Sequence, residues 1–264
     1  MIELITMWRH TRMVVLVALT ATLYAAILIP FKVVLPFMPG LTEFRPGNVI
    51  PIVCSLLFGP AAAWGAAFGN LIGDSFGGTL TLGSTFGFVG NFLYGYLPYK
   101  VWGRLLPRTA RPEPTVISAR QAFEYGASAL AASAGCALLV GWGVDLIGMA
   151  PFSFLGNLIF LNNFIVSVVL GPALLVAVYP RVKRWGLLHT DILEPSDRSR
   201  SRLGLVGALL VWAAVIWGMT AGNLASLGVG GHILQPTAGT AGHAVVAVQA
   251  GPAVALLLVA CLLL

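Results

Sequence analysis

Stretches of apolar residues, most of them about as long as a bilayer is thick, alternate along this chain with short connectors that carry most of the charge. About 20 apolar residues in a helix cross roughly 30 Å of hydrocarbon. A backbone in hydrocarbon has no water to bond, so each crossing segment satisfies its own amides, and the expected fold class is an all-α integral membrane protein. Composition agrees, since 58% of the 264 residues are hydrophobic, 9% are charged and the mean hydropathy is +0.90. No soluble core hides that much apolar surface. The net charge of +6 comes from bases placed between the apolar stretches, with no aromatic-interleaved patch, which excludes nucleic acid as a partner. Cys54, Cys136 and Cys261 sit in separate apolar stretches without C-x-x-C spacing, so neither a disulfide framework nor a metal site is expected. Met13 to Ile29 is too long for the core of a signal peptide and reads as a retained anchor.

Spans are expected at about Met13 to Leu35, Ser84 to Leu106, Gln121 to Val144, Phe152 to Val178, Leu203 to Leu224 and His243 to Leu264. Between the first two lie shorter apolar pieces, Val49 to Phe58 and Ala61 to Ile72, divided by Gly59-Pro60. The first covers only about 15 Å as a helix, half a bilayer. These pieces form either one kinked span or two short helices. The positive-inside rule does not choose, because either count puts thirteen of the 15 bases on one face. It does make the connectors at 100–120 and 181–202 cytoplasmic. Six bases mixed with Asp191, Glu194 and Asp197 make the latter a solvated linker.

Small residues recur every four positions at Ala61, Gly65, Gly69, Gly73 and Gly77, a ridge that lets another helix backbone approach closely and is expected to pack within the chain. In the first span Ala18, Ala21, Thr22, Ala25 and Ala26 cluster, and Ala21 and Ala25 form a small-x-x-x-small pair.

The run F-R-P-G-N-V-I-P-I-V-C-S-L-L-F-G-P-A-A-A-W-G from Phe44 to Gly65, followed by G-N-L-I-G-D at 69–74 and G-N-F-L-Y-G at 90–95, resembles the S components of energy-coupling factor (ECF) transporters, closest to the riboflavin-binding type. The resemblance covers roughly residues 10–180. It implies two short helices at the Gly-Pro step and a six-helix unit with both ends inside. The chain then divides into a substrate-binding membrane unit at 1–180, a cytoplasmic linker at 181–202 and two additional C-terminal transmembrane helices at 203–264, which lie beyond the family unit. Glu43 to Asn48, Asp74 to Gly83 and Asp145 to Pro151 face outward under this topology. The outward ends collect Glu43, Phe44, Arg45, Asn48, Asn70, Asp74, Asn91, Trp142, Asp145 and Asn157, with Phe152 and Phe154 nearby, as a cup for a ring-shaped solute. Aromatic faces stack on such a solute while amides and carboxylates orient it. Asn162 and Asn163 are expected to tie helices together. S components of this kind capture a vitamin or vitamin-like molecule outside the cell and dock through small residues of helix one onto a membrane coupling subunit driven by two ATPases. Ala21 and Ala25 match that docking motif by position. The implied location is a prokaryotic plasma membrane. The chain has no G-x-x-x-x-G-K-[ST], so it holds no cofactor of its own and ATP is used by the partner subunits.

Two other functions fit the sequence less well. An intramembrane serine protease would use Ser128 in Gly126-Ala127-Ser128-Ala129 with His232 or His243, yet the upstream His-x-x-x-Asn of rhomboids is missing, since His10 is the only earlier histidine. An autonomous channel or secondary transporter would use Asp74 and Asp145 for ion coupling, yet the halves show no inverted repeat and both acids sit near helix ends. The chain is therefore expected to be no enzyme.

Overall fold

The computed structural model describes residues 2–34, 36–38, 42–43, 45–104, 113–194, 196–197, 203–228 and 241–264. A short helix α1 (Glu3–Thr6) leads into the first long one, α2 (Thr11–Val34). Strands β1 (Pro36–Met38) and β2 (Thr42–Glu43) form a minimal antiparallel pair before α3 (Val49–Phe58), α4 (Pro60–Phe76), α5 (Gly83–Val101), α6 (Ala119–Leu146) and α7 (Phe152–Arg184). After a single turn, α8 (His189–Ile192), the chain ends in α9 (Gly204–Ser226) and α10 (Ala241–Leu263). Among the described residues five helices, α2, α6, α7, α9 and α10, are long and apolar enough to cross a membrane. The fold is all-α, as the hydropathy pattern requires.

The step that the charge rule left open is settled at Gly59, whose φ of 55° and ψ of −120° suit glycine and strain any residue with a Cβ. Pro60 follows as the first residue of α4, where its missing N–H is no loss. The Tyr99 N–H donates to Ser55 Oγ (3.2 Å), and Asn48 and Asn91 meet at one tyrosine, so α3 and α5 run parallel. Gly95 lies against Ala62 while Gly87 lies against Asn70, so α4 and α5 run antiparallel. The chain therefore reverses at Gly59, and two short helices replace one kinked span.

The small-residue ridge packs on α2. A methyl at Gly65 would sit 2.5 Å from Thr20 Cβ, and one at Gly69 would sit 2.9 Å from the Ala21 carbonyl oxygen. With α2 parallel to α4 and each later neighbour reversed, Arg9, Arg12, Lys100, Arg104, Arg120 and Arg181 to Arg184 gather at one end, the cytoplasmic one. There Glu3 pairs with Lys100 and accepts from the Tyr99 hydroxyl (3.1 Å). The imidazole of His189 closes over Gly59, with its Nδ1 3.3 Å from the Leu57 carbonyl. Helix α6 stands at the centre, with 83% of its apolar window buried against 39% for α2.

Replacing Gly59 with Ala forces a left-handed alanine, a strain of about 1–3 kcal/mol, against a ring whose Cγ would be 2.7 Å away. Thermal unfolding in detergent is expected to show a melting point lower by several degrees for Gly59→Ala. Gly126→Ala, where nothing lies within 4 Å of the added methyl, should leave it unchanged or higher.

Candidate functional site

At the end opposite the basic cluster, the segment at Arg45 and helices α4 to α7 line a partly open cavity of about 60 Å³. One wall is polar and is built as a relay. Arg45 Nη1 donates to Asn70 Oδ1 (3.3 Å), and Asn70 Nδ2 donates to Asp74 Oδ2 (3.2 Å). On its far side Asp74 Oδ1 is paired with Lys32, whose ammonium also donates to Thr79 Oγ1 (2.7 Å). Thr79, Thr81 and Ser84 line the outer part, and Val140, Val144, Leu155 and Ile159 supply the apolar wall. The spacing of Asn70 and Asp74, four residues apart on α4, sets both side chains on one helical face.

A second polar layer forms the floor. The Tyr24 hydroxyl lies 2.9 Å from both Asn48 Oδ1 and Asn91 Oδ1, and its single proton serves one of them at a time. Asn48 Nδ2 donates to Asn163 Oδ1, while the Tyr94 hydroxyl reaches the Asn48 carbonyl (3.0 Å) and Ser167 Oγ (2.6 Å). Asn91 is fixed in turn by donating to the Gly87 carbonyl (2.9 Å).

Of the expected cup, Arg45, Asn70, Asp74 and Asn91 line the cavity, and Asn48 lies in the floor beneath it. Phe44 falls outside the described residues, and of Glu43 only the backbone is described, in β2. Three expected members point elsewhere. Asp145 Oδ2 accepts from the Phe152 N–H (2.6 Å) and so holds the start of α7. Asn157 exchanges amide hydrogen bonds with Asn223 of α9 (2.6 and 3.2 Å). Trp142 Nε1 reaches the Ala247 carbonyl of α10 (3.4 Å). Phe152 is buried against Gly222, and Phe154 is exposed.

Asn162 and Asn163 do more than tie helices. Both line the cavity, and Asn162 Oδ1 accepts from the Arg45 backbone N–H (3.3 Å). Lys32 was missed altogether, although an ionisable residue that interrupts an apolar span was a signal for it. The docking pair also turns inward. Ala21 and Ala25 are 5% and 4% exposed, packed on α4, whereas Ala18, Thr22 and Ala26 form the exposed small-residue stripe of α2. Ser128 is buried within α6, and its hydroxyl has no hydrogen-bond partner among the described residues. The same residues hold no cluster of three or more His, Cys, Asp or Glu able to bind a metal.

A family model described as QueT transporter matches residues 14–180, more than half of the chain. The chain belongs to the QueT transporter family. QueT proteins are ECF S components, which makes this chain a multi-pass membrane protein of solute uptake. The particular type is QueT, where the sequence had suggested the riboflavin-binding one. No curated protein matches the chain, nor does any solved structure. The match ends before α8, α9 and α10.

A hydrogen bond to a charged group contributes about 1.5–3 kcal/mol, or roughly ten- to a hundredfold in affinity. Arg45→Ala and Asn162→Ala are accordingly expected to weaken solute binding at least tenfold by titration calorimetry. Trp142→Phe and Asn157→Ala should stay within about threefold of the parent, since neither side chain reaches the cavity.

Proposed function

We propose that this chain captures the queuosine precursor preQ1 at the outer face of a prokaryotic plasma membrane and delivers it to an ECF module. The family supports a vitamin-like solute, and preQ1 is the molecule attached to it. The observation that carries the reading is the small cavity whose polar wall ends in Arg45 and Asp74. The carboxylate, amides and guanidinium supply the acceptors and donors that a deazaguanine ring presents in complementary order.

Docking would use the outward stripe of Ala18, Thr22 and Ala26, against which the helix of a membrane coupling subunit can pack closely. Two ATPase subunits would supply the energy, since this chain carries no phosphate-binding loop. Ion coupling draws no support from Asp74 or Asp145, both of which are held by partners inside the protein.

Mass spectrometry of small molecules retained by the purified chain is expected to find preQ1, and a retained flavin or thiamin would overturn the assignment. Thr22→Leu should leave solute binding unchanged and reduce cellular uptake at least tenfold; normal uptake would remove α2 as the docking helix.

A further inference from the structure

Among the described residues the cavity wall contains one carboxylate, Asp74, and a buried lysine already holds it. Lys32 and Asp74 are 7% and 6% exposed, and Lys32 reaches Asp74 from α2, behind the wall, while Asp74, Asn70 and Arg45 face the cavity. A carboxylate in a binding cup invites the idea that it takes the ammonium of an amine-bearing solute. The surroundings argue against it. A second ammonium at Asp74 would stand beside Lys32 and near Arg45, three positive charges about one negative one in a medium of low dielectric. Displacing Lys32 instead would break a buried ion pair packed against Leu28, Gly73 and Gly77.

What the pair leaves on offer is different. Asp74 is neutralised in charge but still presents the oxygen that Asn70 touches, and the Asn70 amide spaces it from the Arg45 guanidinium. Read along the wall, an acceptor is followed by an amide and then by a donor fork. The complement is one ring edge that carries N–H donors at one end and a carbonyl or ring-nitrogen acceptor at the other. Guanidinium forks match such acceptors well.

We infer, resting on the solute reading above, that Lys32 is a positioning residue that keeps Asp74 as a charge-neutralised acceptor. The Asp74–Asn70–Arg45 wall then selects the solute by an uncharged donor–acceptor ring edge and not by an ammonium group. Lys32 thereby sets specificity without touching the solute.

The test is titration calorimetry on the purified full-length chain at pH 7 with three probes: preQ1, its uncharged nitrile counterpart, and a ring analogue lacking the exocyclic amino group. The parent protein should bind the amine and the nitrile within about threefold and the edge-deficient analogue at least thirtyfold more weakly. Lys32→Met should weaken the first two and turn an indifferent site into one that favours the amine at least tenfold, because the carboxylate is then uncompensated. A parent protein that prefers the amine more than tenfold, or that accepts the edge-deficient analogue equally, overturns the inference. An unchanged amine-to-nitrile ratio in a folded Lys32→Met overturns the role of Lys32. Should that variant fail to fold, the comparison of the three probes on the parent protein decides alone. If none of the three binds, the solute reading itself falls, and the edge assignment falls with it.

Discussion

A helix of ten residues spans about 15 Å and cannot cross hydrocarbon, so α3 must begin inside the bundle. The Asn48 side chain at that start is then surrounded by helices rather than by water. Partners have to come from neighbours at the same depth. Tyr24 from the middle of α2, Asn91 and Tyr94 from the middle of α5, and Asn163 and Ser167 from α7 converge there and form one connected layer. The half-length helix also leaves space above its start, and that space is the cavity. Floor and opening thus have the same origin, and the reversal at Gly59 allows both.

The glycine ridge of α4 ties this layer to the outward face of α2. Close approach at Gly65 and Gly69 brings Tyr24 over the floor, and the same contact places Lys32 beside Gly77, within reach of Asp74. A buried ion pair is weak evidence for stability, since desolvation offsets most of the Coulomb gain. Lys32 and Asp74 make more sense as an arrangement that fixes how a carboxylate meets a solute.

The sequence showed five of the six expected spans and the step at Gly59-Pro60, because each follows from hydropathy or backbone chemistry read one segment at a time. It also showed Arg45, Asn70, Asp74 and Asn91, which sit where the outward ends of helices had to be. What it did not show is rotation about a helix axis. Asp145 and Asn157 lie at the right end of their helices but face α7's own start and α9, respectively. The two alanine stripes of α2 have the same spacing and differ by about 100° per residue of offset, so pattern alone does not tell Ala21 and Ala25 from Ala18 and Ala26. Asn162 and Asn163 looked too deep for a site measured from the membrane surface, whereas the half-length of α3 puts the floor at their level.

The helices beyond the family match raise the question of whether they obstruct docking. They pack on one side of the bundle: Gly218 of α9 on Leu138 of α6, Gly222 on Phe152 of α7, and Leu257 of α10 near Gly135. At the cytoplasmic end the Tyr96 hydroxyl donates to the Cys261 carbonyl (2.9 Å), and Lys100 Nζ and Arg104 donate to the Leu264 backbone oxygen (3.0 and 3.1 Å), fixing α10 beside α5. Helix α2 is held instead by α3 and α4, and its outward stripe keeps Val15, Leu19 and Leu23 exposed alongside Ala18 and Thr22. The added pair encloses α6, which already serves as the central post, and leaves α2 bare. Because α9 and α10 take their contacts from α5, α6 and α7, the membrane unit grows on that side only, and the small-residue stripe of α2 stays open on the other.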